Sequence, residues 1–289
     1  MIDNLDLVKD LSTNGYSNGH TLPDVQKTLD RRNKAINRVG VSGITLPMLM
    51  NGKNIVARIS AYTGLPHNFK GTHMSRFVIN AVKEFSNKEV SDVLINTYLS
   101  CLKESLQSDD AFVDIEFDYL YSKRSPVTGL NGGYQTCKVS IIGLLRDTIK
   151  IVKRLEVTTS SLCPCSKEMS LVDSLAGVGK GAHNQRSVIR CDYLLHDGCL
   201  IDMDDLIYEI EDCGSVALYP ILKREDEKFV TETAYGNPKF VEDIVRDVAL
   251  LLDNYSGIKD YSIKVENFES IHQHNALAYL KTPNWELHL

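Results

Sequence analysis

Two stretches near the start of the chain alternate apolar and polar residues with a period of two. Ala35 to Met50 (AINRVGVSGITLPMLM) and Asn54 to Tyr62 (NIVARISAY) are β-branched and flank the turn residues Asn51 and Gly52, a pattern that predicts a hairpin. The period then becomes helical. Thr72 to Phe85 puts Phe77, Val78, Ala81, Val82 and Phe85 on one face, and Ser91 to Leu106 predicts a second amphipathic helix. Asp110 to Tyr121 (DAFVDIEFDYLY) returns to strict alternation, and Tyr134 to Leu145 does the same after the turn-rich SPVTGLNGG. The first half therefore reads strand, strand, helix, helix, strand, strand.

The second half repeats that order without visible sequence identity. Thr148 to Thr158 and Gln185 to Leu195 alternate as strands, joined by a stretch rich in cysteine and glycine. Met203 to Asp212 predicts a short helix, and Pro238 to Tyr255 a longer one opened by its proline, where a missing N–H costs nothing. Tyr261 to Asn267 and Ala276 to Lys281 close the half as strands. The pattern predicts an α+β protein of two tandem modules, each an antiparallel sheet backed by helices: residues 31–147 and 148–289, preceded by a mobile arm over residues 1–30.

Composition narrows the classes. At 289 residues with 43% hydrophobic content, the chain can bury a full core in one or two domains. Its longest apolar runs, VSIIGLL and DVALLLD, fall far short of a membrane span, and MIDNLDLVKDL carries acids where a signal peptide carries positive charge. No membrane partner is expected, and a cytoplasmic location is. Seven cysteines without framework spacing point to reduced thiols. A net charge of −6 offers no basic field for nucleic acid, so an anionic ligand would need a local cluster of cations. His67, Lys70, His73 and Arg76 form one such cluster, and Arg186 stands apart from it.

Candidate chemistry concentrates between Ser160 and Ser187 (SSLCPCSKEMSLVDSLAGVGKGAHNQRS). Thiolate and imidazole are the usual ligands of zinc or a similar divalent ion, so Cys163 and His183 are candidate ligands, with others expected from elsewhere in the chain. Cys165, separated from Cys163 by Pro164, reads as a packing residue. In ENFESIHQHNA, Glu269 and His272 are spaced i, i+3, which would place both on one side of a helical turn. Lys223 to Glu232 (KREDEKFVTE) reads as a solvated charge run, within which Glu227 matters only if the fold brings it to the metal. Glu242 and Asp243 suit a helix first turn. Neither standard glycine-rich phosphate loop is present.

Taken together, INRVGVSG, KGTHMSRF, TSSLCPCSKEMS, GAHNQRS, ILKREDEKFVTE, AYGNPKFVEDIVRD and VENFESIHQHNA resemble one family, the type IB form of GTP cyclohydrolase I. The resemblance runs from about residue 24 to residue 282, and the pairing of CPCSKE with GAHNQRS is specific. It implies a tunnelling fold assembled as a homotetramer with active sites at subunit interfaces, in agreement with the repeated element order. It implies conversion of GTP and water to 7,8-dihydroneopterin triphosphate and formate, the entry step to folate-type pterins and in many bacteria to deazapurine nucleosides. By matching position, Cys163, His183, Glu227, Glu269 and His272 would be ligands of a divalent zinc, manganese or iron ion. Glu242 would anchor the guanine. The triphosphate would then fall to Arg186, Lys70, His73 and Arg76, and His183 or His272 could shuttle protons.

Two departures accompany the resemblance. Roughly eight additional residues separate CPCSKE from GAHNQRS, including Gly177, Gly179 and Gly181, which suggests a loop that bulges outward, and Glu225 replaces the family's usual proline. Two rival readings are a tunnelling-fold nitrile reductase using a cysteine nucleophile and NADPH, and a non-catalytic metal-binding protein.

Overall fold

The computed structural model describes residues 16–17, 20–21, 24–131, 133–172 and 181–286. After two short paired strands, β1 (Tyr16–Ser17) and β2 (His20–Thr21), eight long strands follow: β3 (Ile36–Met50), β4 (Lys53–Leu65), β5 (Ala111–Lys123), β6 (Gly133–Leu145), β7 (Ile149–Leu162), β8 (Asn184–Leu195), β9 (Ile258–Asn267) and β10 (Ala276–Lys281). They hydrogen-bond in the order β10-β9-β8-β7-β6-β5-β4-β3. Among the described residues six α-helices accompany them: α1 (Met74–Phe85), α2 (Asp92–Leu106), α3 (Pro164–Leu171), α4 (Met203–Asp212), α5 (Arg224–Gly236) and α6 (Val241–Asp253). This is the expected α+β class, with an antiparallel sheet accompanied by helices. The chain divides into two compact units: the described residues up to Phe117 with Ser140–Ile151, and Asp118–Val139 with the described residues from Val152 onward.

In the first unit, β3 and β4 pair antiparallel through the turn at Asn51 and Gly52, both at positive φ (51° and 71°). Alternation sends Met48, Ile55, Ala57 and Ile59 to the covered side of the strands. Gly143 shows how closely α2 approaches β6: a Cβ there would sit 2.8 Å from Ile95 and 2.9 Å from Leu99. Helix α1 buries a narrower stripe than expected. Phe77, Ala81 and Phe85 are fully covered, but Val78 and Val82 are 39% and 36% exposed, and Glu84 takes the fourth buried position, paired with Lys83 and Lys88. The expected arm is outside the described residues at 1–15, 18–19 and 22–23. Its last residues are tied down, because Lys70 N–H donates to Thr28 O, Gly71 N–H to Gln26 O and Asp30 N–H to Asn68 O.

In the second unit, β7, β8 and β9 lie in register, with Leu155, Val157, Ile189, Cys191, Ile263 and Val265 on one side. Val241, Ile244, Val248 and Leu252 of α6, with Leu206, Ile207 and Ile210 of α4, are buried. Helix α5 packs Ala234, Val230 and Tyr235 against Leu162, Ala182 and Val216, next to both Cys163 and His183. The segment after α4 is threaded tightly past β7: Thr159 Oγ1 donates to Glu211 O at 2.8 Å, and Ser215 Oγ accepts from Leu162 N–H at 3.0 Å. A Cβ on Gly214 would lie 2.1 Å from Thr159 Oγ1. Gly214→Ala is therefore expected to cost about 1–3 kcal/mol, read as a lower midpoint in urea.

Several expectations need correction. The charge run beginning at Lys223 is solvated as expected except at Asp226; what the sequence did not show is that it opens helix α5, whose buried Asp226 and Ala234 give it an inner face. The stretch after Cys163 forms helix α3 rather than an open connection, and Cys165 on it is exposed, not packed. Pro238 precedes the last helix, which starts at Val241 with Phe240 as N-cap. Phe268 to Asn275 is a bend without a helical turn, so no i, i+3 pairing holds Glu269 and His272. Most of the inserted segment, residues 173–180, is outside the described residues.

Candidate active site

The site begins where β7 and β8 finish pairing. Ser161 stands opposite Gln185 and Leu162 opposite Asn184, and beyond them Cys163 N–H donates to His183 O at 3.1 Å. Two alternating strands thus deliver the cysteine and the histidine to one place. Pro164 at the first helical position ends the strand and opens α3 with Cys163 as N-cap, whose Sγ accepts from Ser166 N–H at 3.4 Å. Ser166 Oγ in turn accepts from His183 N–H at 3.2 Å, clamping the two main chains.

The His183 ring faces two acceptors through one nitrogen. Its Nδ1 lies 3.0 Å from Gln185 Oε1 and 3.8 Å from Glu269 Oε2, and the His183 and Glu269 side chains are only 15% and 13% exposed. Glu269 reaches this place because the bend after β9 is pinned: Phe268 N–H donates to Arg186 O at 2.9 Å, and Ser187 Oγ bonds Asn267 Oδ1 at 2.6 Å. His272 follows on the same bend, exposed, with its ring stacked on His274 at 5.0 Å.

Glu227 is exposed in the first turn of α5, one turn before Val230, which packs on the cluster of Leu162, Val216 and Ala234. Its neighbour Asp226 sets the helix start. That buried carboxylate accepts from Val127 N–H and Thr128 N–H at 2.9 Å, Thr128 Oγ1 at 2.7 Å and Lys223 N–H at 2.9 Å. Burial alone would raise its carboxyl; the hydrogen bonds from Thr128, Lys223 and Val127 outweigh burial and hold it well below the usual carboxylate range. Glu242 is exposed in the first turn of α6, and it is Asp243 that caps this helix, accepting from Phe240 N–H at 2.9 Å.

The cations fall in two places. Arg186 is exposed on β8 beside the site. Lys70, His73 and Arg76 belong to the first unit, where His73 and Arg76 line a cavity of about 60 Å³ with Thr63, Leu65, Phe69 and Leu106. His73 Nε2 is 3.5 Å from Asp24, and Arg76 donates to Ser105 O at the end of α2.

Among the described residues of this single chain, no three Cys, His, Asp or Glu side chains form a ready-made metal set. The chain does bring Cys163, His183 and Glu269 into one neighbourhood; Glu227 is exposed on α5, whose Ala234 packs with Leu162. A thiol, an imidazole with one nitrogen engaged by acceptors, and carboxylates are a donor chemistry that suits zinc, iron or manganese. The other cysteines differ in kind. Burial pushes the Cys137 thiol up to about 12 and Cys213 up to about 11, and it raises Cys191 well above the usual thiol value too, so all three are core groups that favour the protonated form. Three contributors escaped the sequence reading: Gln185, Ser161 and Asp226. The signal for Gln185 was available, since it alternates with His183 on the same strand edge.

An antiparallel α+β scaffold that brings a thiol, an imidazole and a carboxylate together where its strands end defines a class, the α+β proteins whose candidate site lies at the strand ends of one sheet. Within it, the chain belongs to the type I GTP cyclohydrolase FolE2 family, which it matches over residues 22–278. It is 44% identical over 269 residues to GTP cyclohydrolase FolE2 of Geobacter metallireducens, covering 90% of this chain and 97% of that one. The corresponding protein of Azoarcus sp. (strain BH72) is 40% identical over 276 residues, with 91% and 95% covered. Among solved structures, uricase from Arthrobacter globiformis aligns with a TM-score of 0.46 at 9% identity, covering 87% of this chain and 95% of that one. Urate oxidase from Bacillus subtilis 168 aligns with a TM-score of 0.44 at 7% identity, covering 85% and 98%.

Proposed function

We propose that this chain is a GTP cyclohydrolase that opens the purine ring of GTP, releases C8 as formate and yields 7,8-dihydroneopterin triphosphate for folate-type pterin synthesis. The observation that carries this reading is the continuous family match over residues 22–278, which spans every candidate site residue.

Cys163, His183, Glu227, Glu269 and His272 would supply the ligands of a divalent ion, zinc, manganese or iron, not all of them bound at once. Such an ion, when bound, supplies a Lewis acid and lowers the pKa of water near neutral pH. The chain's own residues do the rest. Glu242, left uncommitted by the Asp243 cap, accepts from the guanine ring N–H and its exocyclic amine together, turning C8 toward the donor set. Arg186, Lys70, His73 and Arg76 neutralise the triphosphate, with Arg suited to bidentate contact. His272 or His183, whichever the ion leaves free, would hold a proton during ring opening and closure.

The reading places these sites at the interfaces of a homotetramer, with some phosphate-binding cations supplied by a neighbouring subunit. A reducing, cytoplasmic setting is supported by seven cysteines that are all unpaired. No helix among the described residues is long and apolar enough to cross a membrane.

Incubation with GTP and zinc, manganese or ferrous iron is expected to give a neopterin product and formate. Unchanged GTP together with consumption of NADPH in the presence of a pyrrolopyrimidine nitrile would replace the proposal with the reductase. Unchanged GTP with tightly held metal and no NADPH oxidation would leave a binding protein. Glu242→Gln presents an amide N–H₂ to the guanine amine in place of an acceptor. It is expected to raise KM for GTP by roughly 10–100-fold with a smaller effect on kcat, because a site built for paired donors loses most when one goes unmatched.

A further inference from the structure

Gln185 is 9% exposed, faces inward on β8 and stands directly opposite Ser161 on β7. Its amide spans the two strands: Nε2 donates to Ser161 Oγ at 2.7 Å, and Oε1 lies 3.0 Å from His183 Nδ1. Ser161 alone does not determine which way the amide faces, since a hydroxyl can give or accept. Glu269 determines it. With a carboxylate oxygen 3.8 Å from the same nitrogen, a lone pair on Nδ1 would face two acceptors, whereas a proton there sits between them.

From this we infer that Gln185 is a positioning residue that holds His183 as its Nδ1–H tautomer, so that Nε2 carries the free lone pair and is the atom presented to a divalent cation. The cation half of this inference rests on the functional reading above; the tautomer half rests on the geometry alone. The main chain of His183 is already fixed from both sides, its N–H to Ser166 Oγ at 3.2 Å and its O to Cys163 N–H at 3.1 Å. Ring orientation and tautomer are the freedoms that remain, and Gln185 removes both. Partners of this kind change the affinity of a histidine for metal by about 10–100-fold.

The test uses the full chain labelled with ¹⁵N-histidine and stripped of metal, read by long-range ¹H–¹⁵N correlation at slightly alkaline pH, with the His183 signals assigned from a His183→Asn variant. The wild type is expected to show the Nδ1–H pattern at His183. Gln185→Leu is expected to bring in the Nε2–H form and to weaken zinc binding, measured by chelator competition, by about 10–100-fold. Gln185→Glu, which still accepts at this position, should retain the wild-type tautomer and most of the affinity. An Nε2–H pattern in the wild type overturns the inference, a measurement that needs no variant of Gln185 to fold. An unchanged tautomer in Gln185→Leu also overturns it, by handing the role to Glu269. The functional reading fails separately, if His183→Ala holds zinc as tightly as the wild type; that result removes the cation half while the spectra alone decide the tautomer.

Discussion

Cys163→Ala is expected to stop production of neopterin while leaving the fold and the oligomer in place. The thiol is the soft donor of the proposed site. A metal partner one shell further out is typically worth 10–100-fold, so loss of the ligand itself should lower kcat by on the order of 10³-fold or more. The structural cost is small by comparison. The Sγ makes one cap contact, from Ser166 N–H at 3.4 Å, and loss of a cap costs about 1 kcal/mol. The main-chain bond from Cys163 N–H to His183 O at 3.1 Å survives the substitution. Product fluorescence after oxidation, metal content and circular dichroism separate the two effects. Wild-type turnover in the variant would remove Cys163 from the chemistry, and loss of both activity and circular dichroism would mark it as structural.

Lys123→Ala should be the most destabilising single change in the second unit. Lys123 and Glu211 form an ion pair with side chains 9% and 1% exposed, and Lys123 Nζ also lies 4.5 Å from the centre of the Tyr219 ring. Burial pushes the lysine down and the glutamate up, each toward its neutral form, and the partner's charge opposes this in both cases. Removal of one partner strands the other without water, at a cost of about 3–5 kcal/mol. For a chain of this size that corresponds to a drop in Tm of roughly 10 °C. The loss also spreads toward the site. Glu211 Oε1 accepts from Leu218 N–H at 3.2 Å and its main-chain O from Thr159, which fix the segment whose Ser215 supports Leu162. The double variant Lys123→Met with Glu211→Leu is expected to recover most of the stability, since an apolar pair of similar volume is often neutral or better. Equal unfolding midpoints for Lys123→Ala and the wild type would show the pair to be solvated.

What the primary structure determined alone was the set of elements with strong periodicity and the identity of the chemically able residues. Strict alternation in β5, β7 and β8 needs no tertiary information, because a half-buried strand must show it. The cysteine, the histidine and the acids were legible for a similar reason: few residue types can hold a metal. The fold alone decided which faces were covered and which side chains met. The charge run of α5 is solvated as it reads, but the helix within it was not legible because its inner face depends on Asp226, a carboxylate made tolerable only by four hydrogen bonds, three of them from the β5–β6 connection some hundred residues earlier. Val78 and Val82 looked like core, and only packing could show that α1 buries the stripe through Phe77, Ala81, Glu84 and Phe85 instead. Glu269 and His272 suggested a helical turn, yet Glu269 meets His183 through a bend anchored on β8. Gln185 acquires its role only when β7 lies against β8, since a hydrogen bond between side chains depends on distance in space, and spacing along the chain does not supply it.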